Sequence, residues 1–176
     1  MVVPLREMMH GNLPKAIHDA MSVFSCHDKD VEIFLKTKAL DFERRDRSRT
    51  YLVFDEAAFD LLGYFTLSLN ALPFRDKVSG NMIKRIDGFS KDVKAVGIIL
   101  IGQFGKDKDL ARTFKGTTLL DLCLQKVKLA QDITAGRFVM LECLDIPQVV
   151  SFYKSNGFTL LQMDSRDKYL QMVKRL

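Results

Sequence analysis

What the sequence lacks narrows its class quickly. No stretch approaches the roughly 20 consecutive apolar residues that a transmembrane helix needs. The opening run, Met1-Val2-Val3-Pro4-Leu5-Arg6-Glu7, carries an acidic residue and no long apolar segment, so no signal peptide is expected. The cysteines, Cys26, Cys123 and Cys143, are an odd and scattered set in apolar or cap-like settings. That pattern suits reduced thiols rather than a disulfide framework. A cytoplasmic protein without a membrane role is the expectation. Internal repeats, low-complexity tracts and linkers rich in Pro, Gly or Ser are missing as well. Residues 1–176 are therefore expected to form a single domain, long enough to bury a core without metal or disulfide. His10, His18 and His27 have no metal-motif spacing and read as surface or cap residues, so no metal is expected.

The charge that is present is modestly positive, +5 at neutral pH. It favours polyanionic ligands such as nucleic acid or a nucleotide cofactor, and equally serves plain solubility. Apolar periodicity predicts a helix over Asp28–Arg44, with Val31, Phe34, Leu35, Ala39 and Phe42 on one face and Asp28 as its cap. Thr50–Phe54 and Leu61–Leu69 read as an antiparallel pair of strands. Residues 70–94 read as irregular and basic, with Lys77, Lys84, Arg85, Lys91 and Lys94. They suit either a solvated insertion or an excursion near an acceptor site. Val96–Ile101 is a continuous apolar run, expected as a strand buried on both faces.

A helix should begin near Gly116, with Leu119, Leu120, Cys123, Leu124, Val127 and Ala130 as its inner stripe and Gly136 just past its end. Arg137–Cys143 reads as a buried strand. A short helix follows from Pro147 to Asn156-Gly157. Two strands, Phe158–Met163 and Lys168–Lys174, close the chain. The strand–helix–strand unit in the middle implies a parallel pair with a right-handed crossover, and the remainder is antiparallel. The last strand, Tyr169–Val173, is expected as a sheet edge on which a second subunit could pair into a homodimer.

The chemistry concentrates in two places. The first is the strand end Leu100-Ile101-Gly102-Gln103-Phe104-Gly105 and the helix opening Arg112-Thr113-Phe114-Lys115-Gly116-Thr117-Thr118. A helix start carries unpaired N–H donors and partial positive charge. With Arg112, Lys115, Gly116, Thr117 and Thr118 it could cradle a pyrophosphate. It is neither a Walker loop, because Asp107 stands where Ser or Thr is required, nor a dinucleotide fingerprint. The second place is Tyr153-Lys154-Ser155-Asn156-Gly157-Phe158, late in the chain.

Together these pieces resemble a GNAT superfamily N-acetyltransferase over nearly the whole chain, from about Phe24 onward. That family carries Gln/Arg-x-x-Gly-x-Gly/Ala at the loop–helix junction and Tyr-x-x-x-Gly-Phe later, and the second signature is matched in full. The first is partial: Gly116 takes the second small position, Phe114 the first glycine position and Ala111 the Gln/Arg position, with Arg112 one residue away. The N-terminal half, Phe24-Ser25-Cys26, Arg49-Thr50-Tyr51-Leu52 and Gly63-Tyr64-Phe65-Thr66-Leu67, is similar in layout to toxin-type GNATs that acetylate aminoacyl-tRNA. It is also similar to GNAT proteins of Gram-positive bacteria and their phages.

The resemblance implies an α+β fold: a mixed, mostly antiparallel sheet with a central parallel pair and helices on both faces. It implies acetyl-CoA as cosubstrate and direct transfer to a primary amine. The acceptor stays open among a small metabolite, a peptide or protein amine and an aminoacyl-tRNA. Backbone around Ile101, Gly102, Gln103 and Phe104 would hold the pantetheine arm, with a strand N–H stabilising the oxyanion; Arg112, Lys115, Gly116, Thr117, Thr118 and Lys154 complete the implied cofactor contacts. Tyr153 would protonate the departing thiolate, a tyrosine near pKa 10 facing a thiol near 8.5; a packing role is its alternative. No glutamate stands on the central strand to act as base. Glu142, on the next strand, reads as a carboxylate paired with a nearby basic residue. The alternative to an enzyme is a degenerate GNAT that binds acyl-CoA or a partner protein without turnover.

Overall fold

The computed structural model describes residues 1–9, 13–110 and 114–176. In chain order the elements are β1 (Val2–Pro4), α1 (Leu5–Met8), α2 (Lys15–Val23), α3 (Lys29–Thr37), α4 (Ala39–Arg44), β2 (Arg49–Phe54), β3 (Leu61–Pro73), α5 (Gly80–Asp87), β4 (Ala95–Lys106), α6 (Gly116–Thr134), β5 (Phe138–Cys143), α7 (Pro147–Ser155), β6 (Thr159–Met163) and β7 (Leu170–Arg175). Among the described residues the strands form one seven-stranded sheet in the order β1-β2-β3-β4-β5-β7-β6. The β4–β5 pair in its middle is parallel. The pairs β1–β2, β2–β3, β5–β7 and β6–β7 are antiparallel. This is the mixed α+β sheet the sequence implied. The chain divides into two compact units, Met1–Ser68 with Gly102–Gln125, and Leu69–Ile101 with Lys126–Leu176.

In the first unit the Asp28 carboxylate caps α3, accepting from the N–H groups of Asp30 and Val31. The single helix expected over Asp28–Arg44 is in fact two. The backbone leaves helical geometry at Lys38 (φ −120°, ψ −27°), and Thr37 Oγ1 turns back to donate to the Ile33 carbonyl at 2.7 Å, a local competitor with the helix ladder. Ile17 and Met21, one turn apart on α2, join Leu5, Phe24, Leu35, Ala39, Leu52, Phe54 and Tyr64 in the core. The Tyr64 ring meets Phe24 edge-on at 5.6 Å. Its hydroxyl donates to the Val31 carbonyl, and burial pushes its pKa up. Glu43 is 1% exposed and is kept there by its partners: Thr50 N–H donates to it at 2.7 Å and Arg49 at 3.1 Å.

In the second unit β7 lies between β5 and β6, so the last strand, expected at the edge, is interior and β6 takes the edge instead. Leu170, Gln171, Met172 and Val173 are all buried, as a strand covered on both faces must be; the reasoning from an exposed edge to a homodimer loses its premise. Residues 70–94 are not irregular throughout. β3 runs on to Pro73, and α5 is capped by Ser79, whose Oγ accepts from Met82 N–H, and closed by Gly88 at φ +95°. Leu72 and Ile86, with Phe74 and Met82, pack on Ile98, Phe138, Met140 and Val173. The segment reads as polar because only the inner side of one short helix is apolar. No helix among the described residues is long and apolar enough to cross a membrane.

Candidate active site

The first unit holds the strand end and the helix start. Gly105 stands where a Cβ would lie 2.7 Å from Val31 Cγ1, and a Cβ on Gly63 would lie 2.9 Å from the Gly105 carbonyl. Both glycines are thus needed for the close approach of α3, β3 and β4. The β4 backbone past Ile101 is partly committed. Gln103 N–H donates to Thr66 Oγ1 at 2.8 Å. Gln103 Oε1 is buried and has no hydrogen-bond partner among the described residues. The Ile101 side chain is core, 3% exposed, leaving only its backbone for a ligand. Phe104 is half-buried.

The loop after β4 is organised by Asp107, a residue the sequence reading treated only as loop charge. Its Oδ1 accepts from the N–H groups of Asp109 and Leu110, and its Oδ2 from Ser25 N–H at 3.1 Å. Asp107 N–H donates to the Leu62 carbonyl and Lys108 N–H to that of Ser25, each at 2.8 Å. Lys106 Nζ donates to the Phe114 carbonyl at 3.1 Å. The run from Ser25 to Asp28 is tied down in turn by Glu32, which accepts from Ser25 Oγ and Cys26 N–H. Hydrogen bonds from Lys29 and Lys36 hold the Glu32 carboxyl at about 2. At the start of α6, Lys115, Thr117 and Thr118 are exposed and Gly116 is half-buried. Arg112, with Ala111 and Thr113, lies outside the described residues, as does His10.

The second unit holds the tyrosine. Phe158 N–H donates to the Tyr153 carbonyl and Gly157 N–H to the Lys154 carbonyl, each at 3.0 Å. Gly157 is left-handed at φ +84°, and the Phe158 and Tyr153 rings meet edge-on at 5.7 Å. This is a Schellman cap with its usual apolar contact. Each fixed letter of Tyr-x-x-x-Gly-Phe therefore has a local cause, and the cap sets the tyrosine in the last turn of α7. Lys174 Nζ reinforces it by donating to the Asn156 carbonyl at 2.8 Å. Tyr153 is 8% exposed and also meets Phe152 edge-on at 5.1 Å; Lys154 points outward and is exposed.

Glu142 was expected to pair with a basic residue. Its partner is instead an amide: Gln171 Nε2 donates to Oε1 at 2.8 Å. Gln171 and Gln162 were missed, although each is a polar letter inside an apolar strand, which is the informative kind of exception. The thiols are poor nucleophiles. Burial pushes Cys26 up to about 11 and raises Cys123 and Cys143 as well. No group of three or more His, Cys, Asp or Glu among the described residues could hold a metal ion.

Solved structures with this architecture are numerous. AtaT complexed with acetyl-methionyl-tRNAfMet matches with a TM-score of 0.72 at 20% identity, over 97% of this chain and 92% of that one. A tyrosine-to-phenylalanine mutant of KacT matches at 0.71 and 18%, over 97% and 92%. The chain has the GNAT fold of these toxins. A further structure of a bacterial toxin matches the same GNAT fold at 0.73 and 15%, over 99% of this chain and 90% of that one. No protein-family model matches the sequence, and comparison with curated proteins gives no match.

Proposed function

We propose that the chain is an acetyl-CoA-dependent N-acetyltransferase, one catalytic domain over residues 1–176, that passes the acetyl group directly from the thioester to a primary amine. The observation that carries the reading is Tyr153, fixed by the Schellman cap at the end of α7 in a chain with the toxin GNAT fold. AtaT has been solved with acetyl-CoA and with acetyl-methionyl-tRNAfMet. AtaT and KacT have each been solved as tyrosine-to-phenylalanine mutants, which suits a chemistry-bearing tyrosine in this fold. An aminoacyl-tRNA is the acceptor that the AtaT complex favours, and the basic runs Arg44–Arg49 and Lys77–Lys94 agree with an anionic acceptor.

The residues present fit the cosubstrate. The exposed Lys115, Thr117 and Thr118 around Gly116 at the start of α6 suit a pyrophosphate. The unpartnered Gln103 Oε1 suits an amide N–H of the pantetheine arm. Acetyl-CoA supplies an activated acyl thioester. A backbone N–H at the end of β4 would donate to the developing oxyanion, and the Tyr153 hydroxyl would give its proton to the departing sulfur.

A second reading, acyl-CoA or partner binding without turnover, draws on Phe114 at the first glycine position of the loop. Calorimetric titration with acetyl-CoA, with free CoA as comparator, tests the first requirement; absence of binding at millimolar ligand overturns the enzyme reading. Tyr153→Phe then separates the two. A loss of turnover of about 100-fold or more with cofactor affinity retained is the expected result. A wild-type protein that binds acetyl-CoA but never turns over favours the second reading.

A further inference from the structure

One face of the second unit's sheet changes character along its length. Phe138 and Met140 of β5 and Val173 of β7 lie in the apolar core under α5. Side chains alternate along a strand, so Glu142 and Gln171 continue that same face. They sit opposite each other in the β5–β7 ladder, and Gln171 sits opposite Gln162 in β6–β7. An open cavity of about 580 Å³ occupies this polar end, lined among others by Glu142, Gln162, Gln171, Arg75, Asp164 and Arg166. It lies at the carboxyl end of β5, one residue beyond the last β4–β5 rung, Ile101–Leu141. Ligands of open sheets with parallel strands gather outside such strand ends.

A directed amide relay leads into the cavity. Gln162 Oε1 accepts from Arg75 N–H at 2.9 Å, and its Nε2 donates to the Pro73 carbonyl at 2.8 Å and to Gln171 Oε1 at 2.7 Å. Two backbone groups thereby fix which way Gln162 faces, and Gln162 fixes Gln171. Gln171 must then present its NH₂ to Glu142, which it does at 2.8 Å. Gln171 is 7% exposed; an apolar residue there would fill the core with no amide to satisfy. Glu142 is exposed, and Oε2 lies outside the bond that Oε1 makes with Gln171. The cations nearby are engaged elsewhere: Arg75 with Asp167 and the Asp164 carbonyl, Arg166 with the Asp164 carboxylate. The cavity thus offers one oriented carboxylate oxygen whose natural complement is a cationic N–H donor.

We propose that this cavity seats the acceptor's ammonium group, with Glu142 as its catalytic base and Gln171 and Gln162 as positioning residues; the inference rests on the acetyltransferase reading above. The ammonium gives one proton to Glu142, which releases it to water. The amine nitrogen bonds to the thioester carbonyl carbon, and the C–S bond breaks with its electron pair going to sulfur. The second nitrogen proton is lost as the amide forms and replaces, through solvent, the one Tyr153 gave to sulfur.

The probe is L-methionine methyl ester, which pairs a free amine with the ester of an aminoacyl group. Its binding is followed by NMR titration and its acetylation by thiol release from acetyl-CoA. Glu142→Gln is expected to weaken ester binding about tenfold and to lower kcat/KM about 100-fold or more, while acetyl-CoA affinity and Tm stay as in the wild type. Added formate should restore part of the rate in Glu142→Ala, which a structural role would not allow. Gln171→Leu should raise the KM for the ester several-fold more than it lowers kcat. Wild-type kcat/KM in Glu142→Gln, with acetyl-CoA still bound, overturns the acceptor seat and leaves the enzyme reading standing. Failure of the wild type to bind acetyl-CoA overturns both.

Discussion

The carboxyl end of α7 and the amino end of α6 carry the two family-like signatures, and they are built in opposite ways. The end of α7 is closed on itself. Its last carbonyls are taken by Gly157, Phe158 and Asn156, its glycine is left-handed, and its tyrosine is packed between Phe152 and Phe158. The start of α6 is open, with Lys115, Thr117 and Thr118 exposed. A helix end that aims a side chain must satisfy its own backbone, whereas one that receives an anion leaves donors for the ligand. The same contrast says where substitutions should register, in stability at α7 and in ligand affinity at α6.

The largest expected departure is at Gly157→Ala. The φ of +84° persists whatever the space, and the new methyl would meet Lys174 Nζ at 2.6 Å. Because that ammonium ends a flexible chain, backbone strain dominates, and about 1–2 kcal/mol of stability should be lost in urea unfolding. An unchanged midpoint would show that the cap is not what holds Tyr153. Thr117→Ala with Thr118→Ala should do the reverse: unfolding unchanged within about 0.5 kcal/mol, as for exposed positions, and acetyl-CoA affinity reduced about three- to tenfold. A stability loss there would break the contrast.

The smallest effect concerns Glu32, which anchors the run before α3 onto which the α6 loop is tied. Its carboxyl falls from an ordinary 4.5 to about 2 through bonds from Lys29 and Lys36. A depressed carboxyl contributes stability above its unfolded pKa and loses it as pH falls through the folded one. Wild type should therefore lose stability between about pH 4.5 and 2 in part through this group. Glu32→Gln should flatten that slope without altering the midpoint difference between pH 6 and 8, as followed by acid titration of the unfolding midpoint.

Much of the fold was legible because its periodic signals were long. The α6 stripe Leu119, Leu120, Cys123 and Val127 is fully buried, the parallel β4–β5 pair follows from strand–helix–strand order, and Asp28 caps as its chemistry demands. What failed were signals carried by few residues or by tertiary context. α1 is about one turn long, and α2 and α5 are each under three turns, shorter than the roughly 11–18 residues over which periodicity is read. The break at Lys38 is a single residue leaving helical geometry, with no Gly or Pro beside it to mark the place. The interior place of β7 is a matter of sheet order, which a hairpin's own sequence does not encode. At the site, Tyr153 was legible because its motif is local. The Gln162–Gln171–Glu142 relay was not, because it joins three strands and the end of β3 by register alone.

The division of the chain has a practical corollary for dissection. The first unit is interrupted after Ser68 and resumes at Gly102, and the second resumes at Lys126. Neither is one continuous stretch of polypeptide, so no single nick or truncation releases either intact. A protease cut within 74–79 or 88–94, where the connections around α5 run outside helix and strand, would leave two fragments that each hold parts of both units. Such fragments should remain associated under native conditions and separate only in denaturant.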